Sequence, residues 1–236
     1  VLTLIIRNRG IPWYLRGGIP KANCLAAFQP KSVASYAASK INLVNPGTYD
    51  LVNGVAFPSW AIATGWTFNG ANQYLTIASA IATTVPITMV CRFNADDVAN
   101  WGSLMAIADK TALGRNFFAL DNCGALAGDP VISYTRNAGA SAYGESTSGY
   151  TAGNWFTATG VWSANNARAA YIDGVNKGTE ATAITPTSLD TTFIGANYDN
   201  DALVTPLIGK IAACAFYNIA LSDAQVLAIH TAMAVL

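Results

Sequence analysis

Trp155–Gly178 reads WFTATGVWSANNARAAYIDGVNKG, and two strand-like runs joined by a turn signal make this the deciding stretch for the fold. Trp155–Trp162 is rich in aromatic and β-branched residues, which suit a pleated, half-buried surface. Ala169–Ile172 is a second run of this kind. It meets Asp173-Gly174, a pair that tolerates positive φ and so favours a tight hairpin, with Val175 opening the return strand.

The same pattern continues outward in both directions. Trp66–Phe68 and Tyr74–Ile77 flank Asn69-Gly70, which predicts another tight hairpin. Ile87–Phe93, Leu104–Ala108, Phe117–Leu120, Val131–Tyr134, Thr192–Ile194 and Ile211–Tyr217 read as further strands, separated by Gly, Asn, Asp, Pro and Ser clusters at the spacing of a sandwich. Within Ile87–Phe93, Cys91 shares a face with Ile87, Met89 and Phe93 and is expected to be a buried free thiol. One helix is well signalled at the C-terminus. Ser222 suits an N-cap, Gln225 completes a capping box, Leu221 and Val226 occupy the staple positions, and Val226, Ile229 and Met233 recur at helical spacing. A shorter helix is expected within Ser32–Ser39.

Composition supports one large β domain. The 236 residues are 52% hydrophobic and 11% charged, so the polar surface must come from Ser, Thr, Asn, Gln and Gly. Such a composition excludes a disordered chain. No segment reaches the roughly 18 apolar residues of a membrane span, and VLTLIIRNRG carries its charges after the apolar run, unlike a secretory signal. Cys24, Cys91, Cys123 and Cys214 lie far apart without CxxC spacing, which argues against zinc. Charge is unevenly spread. Six basic residues and no acidic one precede Asp50, whereas seven basic and thirteen acidic residues make up the rest. The chain therefore divides into an N-terminal arm, residues 1–21, and a domain, residues 22–236. Nucleic acid is not an expected partner, since no basic stripe or binding motif is present.

Several segments, in order, resemble the laminin-G-like, concanavalin-A-like jelly roll. They are Leu25–Pro30 (LAAFQP), Trp66–Ile77 (WTFNGANQYLTI), Ile87–Phe93, Trp155–Gly178, and the ending Ile194–Met233 with Gly209, Lys210, Ile211, Asn218, Ala220, Leu221, Ser222 and Val226. The resemblance implies an all-β, antiparallel two-sheet sandwich with a short C-terminal helix. Gly17–Tyr49 is also similar to the opening of laminin-G-like proteins of tailed phages and their metagenomic relatives. That implies a virion component, or more generally a protein of a virion or extracellular surface.

Catalysis is not expected. Glycosidases of this fold carry E-x-D-x-x-E on one strand, and it is absent here. The two glutamates, Glu145 and Glu180, lie in segments that read as loops, and His230 is the lone histidine. Three binding expectations remain. Calcium, if bound, falls to Asp199 and Asp201 with Asp121 as partner, although Asx-rich loops are also ordinary turn chemistry. A glycan falls to the loop-like aromatics Trp101, Tyr143, Tyr150 and Tyr198, with Asn200 beside them. A protein partner falls to the arm, through Arg7, Arg9, Trp13, Tyr14, Arg16 and Lys21, by strand addition or charge, unless the arm packs on its own domain. The leading expectation is a non-catalytic module anchored to a larger assembly such as a virion shell or tail, compatible with a homo-oligomer. A lectin-like module, with or without calcium, is the alternative.

Overall fold

The computed structural model describes residues 12–111 and 115–236, so Arg7 and Arg9 lie outside the described residues. Alternation of apolar and polar residues along short strands leaves each sheet with one face to bury, and two sheets solve this by packing face to face. One sheet has eight strands. Seven run in the order β13 (Asn176–Glu180), β12 (Ala167–Ile172), β11 (Trp155–Ala164), β6 (Ile87–Ala95), β17 (Ile208–Tyr217), β4 (Gly65–Asn69) and β3 (Ser59–Ala61). The eighth, β1 (Cys24–Phe28), also pairs with β17. The second sheet runs β10 (Ala140–Gly149), β9 (Pro130–Asn137), β8 (Phe117–Cys123), β7 (Trp101–Ala108), β14 (Thr191–Ile194), β5 (Leu75–Ile77) and β2 (Val52–Asn53). A separate ribbon joins β15 (Asn197–Asp199) to β16 (Ala202–Val204). This is the expected antiparallel sandwich.

Between the sheets lie Trp66, Phe68, Met89, Cys91, Phe93, Phe118, Leu120, Trp162, Ile194 and Phe216, all at most 2% exposed. Cys91 faces Cys214 in register, and all four cysteines are buried free thiols. The Asp173-Gly174 hairpin forms as read, with φ of 52° and 79°, and joins β12 to β13. The C-terminal helix spans Asp223–Ala234 behind the Ser222/Gln225 capping box.

Four expectations are corrected. Asn69-Gly70 does turn the chain, with Gly70 at φ 71°, but it passes the chain from β4 in one sheet to β5 in the other rather than pairing the two. The short helix shrinks to α1 (Tyr36–Ser39), because Ser32 sits at φ 67° and Ser35 is the cap. With that range given, the C-terminal helix is α2. Glu145 lies on β10 and Glu180 ends β13, so neither is in a loop. Finally, residues 12–21 do not stand apart from the domain.

That last point concerns the outer face of the eight-stranded sheet. Trp13 is fully buried and Tyr14 and Ile19 nearly so, packed in one cluster with Val90, Val161, Ala213 and Tyr217 of the sheet and Val226, Ile229 and Met233 of α2. The Tyr14 hydroxyl donates to the Leu43 carbonyl at 2.7 Å. Arg16 donates through Nη1 to the Ala232 carbonyl at 3.0 Å, a favourable place for a cation because the last helix carbonyls lack intrahelical partners. Trp13 and Tyr14 are therefore anchors of this domain's own core and are not free to dock a partner. Arg16 is half-buried on α2, and Lys21 is exposed.

Candidate functional site

The outer face of the seven-stranded sheet is built differently. Residues opposite one another in antiparallel strands share a face, and the register aligns Tyr143 of β10 with Tyr134 of β9, and Tyr134 with Ala119 of β8. One step along, Arg136 lies opposite Phe117, and in the other direction Ile132 lies opposite Asp121. These positions face away from the core, and a cleft of about 190 Å³ opens over them. It is lined by Trp101, Phe117, Asp121, Tyr134, Arg136, Asn197, Asp199 and Thr205 among others.

Trp101 and Tyr143, expected in loops, open β7 and lie within β10, so rigid strands hold them. They meet around Tyr134. Trp101 is 5.5 Å from it and 6.5 Å from Tyr143, centroid to centroid, and Tyr134 stands edge-on to Tyr143 at 5.8 Å and to Phe117 at 5.0 Å. Trp101, Tyr134 and Tyr143 stay half-buried, so an aromatic wall remains open to solvent.

The polar groups of the cleft divide into paired and unpaired sets. Asp199 is held by Arg136 at 2.7 Å and by Arg115 at 3.8 Å. Asp121 is 1% exposed and has no cation partner. Its Oδ2 accepts the Trp101 indole N–H at 2.9 Å, while Oδ1 accepts no hydrogen bond. Burial pushes the Asp121 carboxyl up to about 7. Ser103 and Trp101 draw it down only in part, Ser103 lying close without closing a hydrogen bond of normal geometry. Ser103 Oγ and Thr205 Oγ1 are also buried without partners.

Two expected glycan contacts are corrected. Tyr150 is 1% exposed, lies edge-on to Phe93 at 5.6 Å between the sheets, and accepts a hydrogen bond from Asn122 Nδ2 at 3.0 Å. Tyr198 is 8% exposed, because its ring stacks on Phe193 at 4.8 Å under the ribbon and its hydroxyl meets that of Tyr74 at 3.2 Å. Asn200 and Asp201 form the exposed turn of the ribbon, both with φ of 56°. Asn and Asp tolerate that conformation better than most residues. Asp121 and Asp199 share the cleft but Asp201 stands on the turn. Among the described residues no three His, Cys, Asp or Glu side chains converge as a metal site would require. Asp199, already balanced by guanidinium groups, does not fit the part of a calcium ligand.

Tyr134, Arg136, Ser103 and Thr205 were not anticipated. Strand parity carried a signal for two of them, since Ile132, Tyr134 and Arg136 alternate along one strand. A larger groove, about 550 Å³, lies on the eight-stranded sheet beside the start of α2. Its one aromatic lining residue, Tyr171, is 2% exposed, and Lys177 and the Tyr171 hydroxyl are both committed to Asp223 at 2.9 and 2.7 Å. It offers no ring face to a sugar, so size alone does not favour it.

Fold and cleft together define a jelly roll with an open aromatic face. The chain belongs to the Laminin_G_3 family of the concanavalin A-like lectin/glucanases superfamily, which it matches over residues 69–227. No curated protein matches the sequence. Among solved structures it is similar to domain 4 of AbnA, an extracellular arabinanase from Geobacillus stearothermophilus in complex with arabinotriose. The identity is 14%, with 88% of this chain and 98% of that one covered and a TM-score of 0.61. The Ruminococcus gnavus IT-sialidase CBM40 bound to α2,3 sialyllactose is 16% identical, covers 63% and 84%, and gives 0.53. The NanB sialidase from Streptococcus pneumoniae is 17% identical over 75% of this chain, with a TM-score of 0.56, and the match spans only 28% of that enzyme.

Proposed function

We propose that this chain is a non-catalytic carbohydrate-binding module whose ligand lies on the outer face of the seven-stranded sheet. The observation that carries the reading is the cleft itself, which half-buried Trp101 and Tyr134 line while Tyr143 packs edge-on against both. A sugar ring offers an apolar face to stack on these rings and hydroxyls for the partly exposed Arg136 and Asp199 side chains that line the same cleft. The neighbours solved with arabinotriose and with sialyllactose lend support, as they share the fold. Hydrolysis needs a second carboxylate free to act as nucleophile or base. The cleft's other carboxylate, Asp199, is engaged by Arg136 and Arg115, and Glu145 is not among the lining residues. Anchoring through the N-terminal arm has lost Trp13 and Tyr14 to the domain's own core, so the lectin reading takes precedence over attachment to a virion or other assembly.

A glycan array followed by titration calorimetry tests the reading. Trp101→Ala and Tyr143→Ala should each weaken binding about tenfold, a loss of about 1.4 kcal/mol. Lys177→Ala in the opposite groove should leave it unchanged. Binding that survives both aromatic substitutions and fails with Lys177→Ala would move the site to the other sheet.

A further inference from the structure

One side of the sandwich carries almost no charge. Residues 51–91 hold no Asp, Glu, Lys or Arg, and across residues 32–91 only Lys40 and Asp50 are charged, in a chain where 11% of residues are. Both of these charges are engaged. Lys40 Nζ donates to Asn53 Oδ1 at 3.0 Å and stands 4.8 Å over the Tyr36 ring. Asp50 accepts the Asn42 and Gly47 amides at 2.7 and 3.1 Å.

The surface part of this stretch is gathered where both sheets end. β2 is the last strand of the seven-stranded sheet, and β3 is the last on the path through the eight-stranded one. At the opposite side the terminal strands β10 and β13 close on each other, with Gly178 against the Glu145 carbonyl. Here only the segment around α1 bridges the two ends. The Tyr36 hydroxyl donates to Asn53 Oδ1 of β2 at 2.7 Å, and the Ser32 amide donates to the Ile62 carbonyl just past β3 at 2.8 Å. The Gly54 amide is bonded to the Tyr74 carbonyl, so alternation turns the Asn53 amide and carbonyl away from the sheet. Sheet edges are ordinarily guarded by charged side chains, and this one has none to spare.

Exposed apolar side chains crowd the same place. Ile41, Val52, Val55, Phe57 and Ile62 are 39, 51, 86, 58 and 58% exposed. Phe57 lies 6.0 Å from the Tyr36 ring, and the Leu51 amide on the Lys40 carbonyl sets Ile41 beside Val52. Among the described residues the other large apolar side chains so exposed are Val175, Leu227 and Val235, which belong to the β12–β13 hairpin and the α2 region.

We propose that this side of the sandwich is a contact between two copies of the chain, related by a two-fold axis and built around Val55 and Phe57. Interfaces with transient partners are about as apolar as the rest of a protein surface, whereas permanent contacts between copies shed charge and resemble a core cut in half. The extent also fits. Nine residues of 32–41 and twelve of 52–64 are exposed or half-buried, against about 20–30 residues a side in a standard interface. A two-fold contact uses the same patch on both copies and then stops, so it covers the open edges without recruiting further chains. The aromatic cleft lies over β7 to β10, at the other end of the seven-stranded sheet from β2. A dimer therefore carries two open clefts, and the contact does not depend on what they bind.

The test is sedimentation velocity from about 1 μM to about 100 μM, since a dimer's population follows protomer concentration, with thermal melting of each protein. The wild type and Val175→Lys should reach twice the mass of the chain. Val55→Lys and Phe57→Lys should each weaken the dimer at least about tenfold, because each sets like charges against one another across the axis. A wild type that keeps the mass of one chain throughout overturns the proposal and leaves the patch to a different polypeptide. So does a dimer indifferent to both substitutions, a dimer lost in Val175→Lys alone, or an assembly that grows without limit. Val55 is so exposed that its replacement leaves the core untouched. Should Phe57→Lys fail to fold, deuterium uptake over residues 52–62 decides: slower uptake in the wild type than in Val55→Lys is expected, and equal uptake overturns the contact.

Discussion

The two sheets bury their inner faces against each other but treat their outer faces in opposite ways. Over the eight-stranded sheet, Trp13, Tyr14 and Ile19 from one end of the described chain and Val226, Ile229 and Met233 from the other close a second apolar core. Over the seven-stranded sheet lies the ribbon, which buries Tyr198 on Phe193 and Tyr74 and leaves Trp101, Tyr134 and Tyr143 half-buried beside it. Aromatic residues occur on both faces, so aromatic content does not separate them. What separates them is cover: one outer face is closed by the two ends of the described chain, and the other keeps a cleft lined by half-buried rings. Buried polar atoms without a partner occur on both faces, Trp13 Nε1, Arg16 Nε and the Tyr217 hydroxyl on the covered one and Asp121 Oδ1, Ser103 Oγ and Thr205 Oγ1 on the open one. Such atoms cost stability wherever they sit, so it is the open rings and not the orphaned oxygens that set the second face apart.

The largest expected effect belongs to the covered face. Trp13→Ala should cost about 3–5 kcal/mol, the usual range for removing a fully buried large aromatic. Glycan binding measured well below the melting transition should not change. Denaturant unfolding that shows a loss under about 1 kcal/mol would mean that the N-terminal segment is not an integral cover and would reopen its availability to a partner.

Next comes a pH effect confined to the open face. Asp121 titrates near 3.8 when unfolded and near 7 when folded. Between those values the folded state holds a proton that the unfolded state has released. Its contribution is therefore fully present below about pH 4 and is lost as pH rises toward 7, by up to about 1.4 kcal/mol per pH unit. Subtracting the Asp121→Asn unfolding profile from that of the wild type isolates this slope from other carboxylates. A flat difference between pH 4 and pH 8 would show that Asp121 is not buried without a counter-charge.

Ser222→Ala should cost about 1 kcal/mol by removing the α2 cap, a smaller loss on the covered face that thermal melting can resolve. The cap was legible in the sequence because a helix end is a local object, decided by residues three apart. The Asp173-Gly174 hairpin was legible for the same reason. Non-local features were not. Asn69-Gly70 signals a turn, but which strands it separates depends on sheets assembled from distant residues. Strand β10 reads ASAYGESTSG, poor in strand formers, and exists because it pairs with β9 and packs close to β13, where only a glycine at 178 leaves room for the Glu145 carbonyl. Trp101, Tyr143, Asp121 and Asp199 could be singled out by type and are gathered around one cleft. Tyr150 and Tyr198 share their chemistry, and only tertiary packing tells them apart.

The smallest expected effect tests whether the ribbon is a passive cover. Asn200 and Asp201 both hold φ of 56° at its turn, and Asn-Gly is the pair best suited to a two-residue turn of this hand. Asp201→Gly therefore replaces a tolerated residue with one that adopts positive φ at no steric cost. The gain should be a few tenths of a kcal/mol, partly offset by the greater freedom of glycine in the unfolded chain. The turn is exposed and Asp201 does not line the cleft, so a passive ribbon predicts unchanged glycan affinity. Asp199 and Thr205, however, flank the ribbon's two ends and do line the cleft. If the ribbon must move to admit a ligand, the more permissive glycine turn should speed association without altering equilibrium stability much, a signature that stopped-flow binding would reveal. Unchanged association and dissociation rates in Asp201→Gly would establish the open face as preformed, and a faster association rate would make the ribbon its gate.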